Sequence, residues 1–180
     1  MANQKAIIIS AFPCTGKSYL GKIYNNVIDL ETTYFQYELT QEQKQLTVEQ
    51  LKGTRKTQRD NWQEDYLKEV KRIASTECIL LIAPSRKIRQ LLTDNSLEYI
   101  LVYPEKGLGE EYASRAASRG NGEHFVERIR TTLDQQIEED YLADKDAVKH
   151  IALKSSEYLT DALEKEGVLN SCVKKGDSVK

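Results

Sequence analysis

The chain has no long apolar run. Its cleanest early stretch, Ala6-Ile7-Ile8-Ile9, is far short of the roughly 20 residues that cross a bilayer and too short for a signal-peptide core. A membrane protein is excluded on this reading, and a cytoplasmic one is expected. Cysteine is scarce: Cys14, Cys78 and Cys172 cannot all pair with one another. They have neither metal-ligand spacing nor a CxxC, so they read as reduced thiols. With three Pro and nine Gly among 180 residues, no linker, repeat or low-complexity tract divides the sequence, and residues 1–180 read as one domain. Neither sign of charge dominates, since 26 Lys+Arg oppose 28 Asp+Glu for a net charge of −2. Bulk attraction to a polyanion is absent, and nucleic-acid binding is not expected. The two histidines, His124 and His150, have no Ser or carboxylate partner pattern and are assigned no catalytic role.

What is present is an alternation of short apolar runs with helical periods. Residues 5–10, 26–30, 78–83, 98–103 and 149–153 are the apolar runs, and being apolar on both faces they suit a parallel sheet. Between them, Trp62, Tyr66, Val70 and Ile73 make one helical stripe, and Phe125, Ile129, Leu133, Ile137 and Tyr141 a longer one at a constant spacing of four. Trp62 and Tyr66 fit core packing, with stacking on a base as the alternative. A last helix begins at Tyr158 and closes at Gly167. Strand-helix alternation of this kind predicts a three-layer α/β domain with right-handed crossovers. Residues 34–59 break the alternation. They read as a polar, mostly helical insertion over the active face, with a Thr47-x-x-Gln50 capping box before Leu51 and a stop at Gly53.

Directly after the first strand stands Ala11-Phe12-Pro13-Cys14-Thr15-Gly16-Lys17-Ser18, a phosphate-loop pattern with Ala in place of the first Gly. Backbone N–H groups of such a loop cradle phosphates, Lys17 reaches the β/γ oxygens of ATP, and the Ser18 hydroxyl faces Mg²⁺. Ala11 bears only on turn geometry, because Ala tolerates a left-handed φ less well than Gly. The third run ends in Pro84-Ser85-Arg86 without an acid, which argues against a motor or switch ATPase.

The acids follow the second run instead. Asp29 and Glu31, two apart, share a face of an extended segment and can take a hydroxyl proton or complete a magnesium shell through water. Helix capping is the plain alternative. Transferring phosphoryl oxygens need cations, and Arg115 and Arg119 lie i, i+4 beside Gly120-Asn121-Gly122, a pattern that suits a closing lid over 110–124. Arg86 and Arg89 follow the third strand, while Arg55 and Arg59 lie in the insertion; a phosphorylated acceptor would explain so many forks, as would plain solvation.

With Ser85-Arg86-Lys87-Ile88-Arg89 and the Val27–Thr32 segment, these motifs resemble small P-loop kinases. The likeness is nearest to the nucleoside-monophosphate-kinase-like proteins of bacteriophages and low-GC Gram-positive bacteria, with a wider one to gluconate and shikimate kinases. It spans roughly residues 5–165. The resemblance implies a P-loop NTPase fold with a five-stranded parallel sheet, helices on both faces, a helical substrate-binding insertion at 34–59 and an arginine lid. It implies ATP-Mg²⁺ held by residues 12–18, with Ser18 on the metal, and catalysis by Lys17, Asp29, Arg115 and Arg119. It implies an acceptor facing Asp29, Glu31, Arg59, Arg86 and Arg89, and an adenine near 154–156. The expected reaction is phosphoryl transfer to a nucleoside monophosphate. The alternatives are a hydroxyl on a small metabolite or on a modified base of phage DNA, and a non-catalytic ATP-binding module.

Overall fold

In the computed structural model, which describes residues 4–52 and 54–176, the five apolar runs form one all-parallel sheet. Its strands are β1 (Ile7–Ala11), β2 (Val27–Asp29), β3 (Ile79–Ile82), β4 (Ile100–Pro104) and β5 (Lys149–Leu153), in the spatial order β2-β3-β1-β4-β5. Ile9 sits between Leu81 and Ile100. Successive strand residues enter opposite cores: Ile8, Leu80 and Leu101 face one, and Ile9, Leu81 and Val102 the other. Burial on both faces is why these runs carry no polar alternation.

Six helices cover the sheet: α1 (Lys17–Ile23), α2 (Trp62–Ala74), α3 (Arg86–Asp94), α4 (Gly109–Ser118), α5 (Glu123–Gln136) and α6 (Leu159–Lys165). Leu20 of α1 and Leu159 and Leu163 of α6 fill the core around Ile9, while α2 to α5 fill the core around Ile8. Three layers result, as expected. Trp62 and Tyr66 are 7% and 1% exposed and belong to the core, and the Tyr66 hydroxyl donates to Leu30 O at 2.9 Å.

Helix α5 does not run on to Tyr141 as a plain α-helix. Residues spaced by four drift about 40° per step around an α-helix, so four steps would carry Tyr141 far from the face of Phe125. A π turn at Ile137–Tyr141 absorbs the drift. It places Tyr141, fully buried, edge-on to Phe12 and stacked on Tyr103 at 5.4 Å.

The insertion differs from the mostly helical expectation. It holds single turns at Thr33–Gln36, Gln43–Gln45 and Val48–Leu51, and a two-residue antiparallel ribbon pairing Tyr37 with Gln58 and Glu38 with Thr57. No apolar stripe longer than one turn exists there to bind a helix to the core, and Leu51, 1% exposed, is its anchor. The capping box forms: Thr47 N donates to Gln50 Oε1 at 2.8 Å, and Gln50 N to Thr47 Oγ1 at 3.3 Å. The expected stop at Gly53 lies outside the described residues.

The chain leaves β1 for β2 on one side and later crosses to β4 on the other, so the strand order reverses at β1. In open α/β sheets the crevice for ligands opens at the carboxyl end of such a strand. Here that end is residue 11.

Candidate functional site

The loop leaving β1 is pinned to the sheet by Phe12 N, which donates to Val102 O at 2.9 Å. Ala11 remains in the strand, fully buried; the left-handed residues of the loop are Cys14 at φ 63° and Gly16 at φ 102°. A glycine at 11 is therefore not required by this backbone. At Gly16 it is favoured by the φ of 102°, which side chains rarely adopt, while a Cβ there would make only an ordinary contact with the Tyr158 ring at 3.6 Å. Thr15, fully buried, closes the loop through its hydroxyl to Phe12 O at 2.8 Å. The backbone N–H groups of Cys14, Thr15, Gly16, Lys17 and Ser18 donate to no acceptor among the described residues. Successive amides in a turn with left-handed residues make a concavity for an anion.

Lys17 Nζ lies over this loop and donates to Ala11 O at 2.7 Å and Phe12 O at 3.0 Å. Burial lowers its pKa, while the charges of Asp29 and Glu31 pull it back up. Asp29 closes β2 beside Leu81. Its position depends on Gly21 of α1, where a Cβ would stand 3.2 Å from Asp29 Cβ.

Three cavities open around the loop. The first, of about 510 Å³, lies between α1 and α4 and is lined by Gly16, Tyr19, Lys22, Arg115 and Tyr158 among others. The second, of about 280 Å³, lies under the insertion and is lined by Lys17, Glu31, Val48, Lys52 and Asn121 among others. Cys14, Ser18 and Arg119 line both. The third, of about 430 Å³, lies along α5 and shares Pro13, Ala83, Pro84 and Phe125 with the second.

The expected residues divide on this map. Residues 13–18 except Thr15, together with Glu31, Arg115 and Arg119, line the first two cavities; Phe12 lines the third. Arg115 is a strut rather than a swinging group. It is 10% exposed in its side chain, pairs with Glu111 at 2.5 Å, and donates to Glu157 O at 3.2 Å and Cys14 O at 3.5 Å. Its guanidinium stacks over Tyr158 at 4.1 Å and Tyr112 at 4.6 Å. The 110–124 lid likewise resolves into two parts, because Tyr112, Ala113 and Ala116 fix α4 in the core. Its second part, residues 117–124, is exposed except for the half-buried Asn121.

Asp29 lines none of the three cavities, and three arginines also lie elsewhere. Arg89 is 3% exposed and wholly engaged: Nε meets Asp144 and Nη2 meets Asp140, both at 2.6 Å, and Nη1 bonds Pro84 O. Arg86 lies at a polar recess beside that cluster. Arg59 pairs with Asp65 at 2.6 Å and lines none of the three cavities. A guanidinium fork suits a carboxylate as well as a phosphate, so residue type alone does not separate these uses.

Sequence reasoning missed Lys52, Tyr158, Arg128 and Gln136. Lys52 Nζ donates to Arg119 O at 2.9 Å and joins the insertion to the end of α4. Tyr158 belongs to a loop that abuts the loop leaving β1, with Leu159 N donating to Thr15 O at 2.8 Å. Ser155 and Ser156 N both bond Glu111. Among the described residues, no group of three or more His, Cys, Asp or Glu is arranged to hold a metal, and no helix is long and apolar enough to cross a membrane. No protein-family model matches the chain, and neither a curated protein nor a solved structure matches it significantly.

Proposed function

We propose that the protein is a kinase that moves the γ-phosphoryl group of ATP-Mg²⁺ to a nucleoside monophosphate. The observation that carries this reading is the pair of cavities that meet on the phosphate loop, sharing Cys14, Ser18 and Arg119. Phosphoryl transfer asks for a donor and an acceptor on opposite sides of one anionic group, in line and held by cations. The first cavity, with Tyr19, Tyr158 and Arg115, suits the donor; the second, beneath the insertion, suits the acceptor. Lys17, Lys52 and Arg119 line the acceptor side against Glu31, which favours a phosphorylated acceptor over a neutral one.

The five amides of residues 14–18 and the Lys17 ammonium fit a polyphosphate. Magnesium, when bound, would neutralise β- and γ-phosphate charge, and Ser18 is the hydroxyl that would hold it. Lys17 has one N–H beyond its two loop bonds to offer a phosphate oxygen. Arg119, which lines both cavities, would meet the transferring group. Arg115 keeps the loop in register with α4.

A hydroxyl acceptor is the second reading, favoured by one observation: the Glu31 carboxylate, a possible proton acceptor, lines the acceptor side. The test is ADP release from ATP-Mg²⁺ against nucleoside monophosphates, sugars and modified-base DNA, with Lys17→Ala as control. A Lys17-dependent signal with a nucleotide is expected. ATP binding without transfer to any nucleotide overturns the reading.

A further inference from the structure

The cavity along α5 is the part of the site that phosphoryl chemistry leaves unused. It shares Pro13, Ala83, Pro84 and Phe125 with the acceptor cavity, so one ligand can extend through both. Phe125 and Ile129 form one apolar side and Pro84 another; the polar groups are Arg128, Thr132 and Gln136 on successive turns of α5, together with Gln36, Ser85 and Tyr141. Arg128 is carried over the Phe125 ring at 5.3 Å. Thr132 gives its hydroxyl proton to Arg128 O at 2.8 Å, and Gln136 gives an amide proton to Tyr141 OH at 2.8 Å. The π turn that begins at residue 137 brings Tyr141 within reach of that amide.

These bonds sort the polarity that the cavity presents. Arg128 can only donate. With its Nε2 engaged by Tyr141, Gln136 presents Oε1 as an acceptor, and the Thr132 oxygen likewise keeps a lone pair. Along α5 the lining thus offers a two-pronged donor at one end and acceptors one and two turns on, with the Gln36 amide and Ser85 hydroxyl completing it. Guanine carries two adjacent acceptors, O6 and N7, which a guanidinium fork meets bidentately, together with an N2 amino donor. Adenine puts an amino donor at N6 beside N7, and uracil and thymine place an N–H donor between their two carbonyl acceptors; cytosine does pair the acceptors O2 and N3, but its single ring covers less of the Phe125 face than a purine does.

We infer that the α5 cavity is a base-recognition site and that the acceptor is a guanine nucleoside 5′-monophosphate. Arg128 reads O6 and N7, Gln136 accepts from the base, and Phe125 covers its face. This rests on the kinase reading for the 5′-phosphate, which Lys52 and Arg119 would meet in the adjoining cavity. Base binding itself requires no transfer.

The experiment is calorimetric binding to the full chain without ATP, using GMP, dGMP, AMP, CMP, UMP and dTMP as probes. GMP and dGMP are expected to bind on the order of tenfold to a hundredfold more tightly than AMP, the discrimination that one bidentate pair supplies. Arg128→Gln should erase that preference, and Gln136→Leu should weaken GMP alone. Both side chains are solvent-exposed, and an unchanged melting temperature shows that the fold is kept. Equal affinity for GMP and AMP, or a preference that survives Arg128→Gln, overturns the inference. The two readings fail separately. Arg128-dependent GMP binding with no ADP formed upholds the base site and overturns the kinase, whereas transfer to another nucleotide regardless of Arg128 does the reverse.

Discussion

Arg89 and Lys17 are both cations set into the protein beside carboxylates, and their surroundings divide them. Arg89 has every edge engaged, and its acids are themselves fixed: Asp144, 7% exposed in its side chain, also accepts from Tyr99 OH at 2.9 Å and from the N–H groups of Asp146 and Ala147. Burial would raise the Asp144 pKa, but the bonds from Arg89 and Tyr99 outweigh it and hold the carboxyl below its ordinary value of 3.8. A depressed carboxyl stabilises the fold above that ordinary value and loses its contribution as pH falls through the folded one. Arg89→Leu should therefore cost about 3–5 kcal/mol by stranding the buried Asp144 and the half-buried Asp140. Asp144→Asn should flatten the acid limb of the stability curve below about pH 4, and denaturant melts at pH 3 and 7 measure both. Lys17 is the opposite case. Its lowered pKa means that the charged ammonium opposes folding at neutral pH, a penalty relieved only as pH rises toward 10.5. Lys17→Met should abolish ADP release and yet raise the melting temperature by about 2–4 °C, the shift that ~1 kcal/mol gives a domain of this size.

At the scale of elements, legibility in the sequence followed the length of the apolar pattern. The run at 149–153 matches β5 residue for residue, and the Trp62–Ile73 stripe lies within α2. Helix α3 shows no period in the sequence because it buries only Ile88, Arg89 and Leu92, too few positions and one of them a cation. The insertion was read as helical on polar composition, whereas its single turns are held by tertiary bonds such as Tyr34 OH to Leu46 O and Arg59 N to Gln36 O. Close packing of elements is equally invisible in a sequence. Gly21 lets α1 approach β2, with room for a Cβ only 3.2 Å from Asp29 Cβ and 3.5 Å from Asp29 N. In Gly21→Ala the gain in helix propensity, up to ~1 kcal/mol, opposes the strain of that contact. Stability should stay nearly constant while Asp29 shifts by a few tenths of an ångström. The expected result is a melting temperature within about 2 °C of the parent and a several-fold loss of kcat. A large fall in both would show that α1 cannot move to absorb the methyl group.

Across the whole molecule, the loop at 11–18 was legible because its parts are neighbours in sequence. The cavities around it were not, since Lys52, Arg119, Arg128 and Tyr158 come from four segments that only the fold assembles. Those segments also differ in how firmly they are held. The floor of the site is the sheet, where β1 is flanked by β3 and β4 and buried on both faces. The roof is the insertion and the turn after α4, exposed elements joined by the bond from Lys52 Nζ to Arg119 O. Local opening is easiest where few apolar contacts hold the backbone. Amide exchange should therefore be slowest in β1, β3 and β4 and fastest in residues 40–50 and 117–122. On the proposed kinase reading ATP and an acceptor would fill the two cavities that Arg119 lines, and together they should slow exchange in the insertion and in the turn. In Lys52→Ala the same ligands should protect the turn while the insertion keeps exchanging, because the link between the two roof segments is gone. Equal protection of both segments in the variant would mean that each closes on its own ligand contacts and that Lys52 serves the acceptor alone.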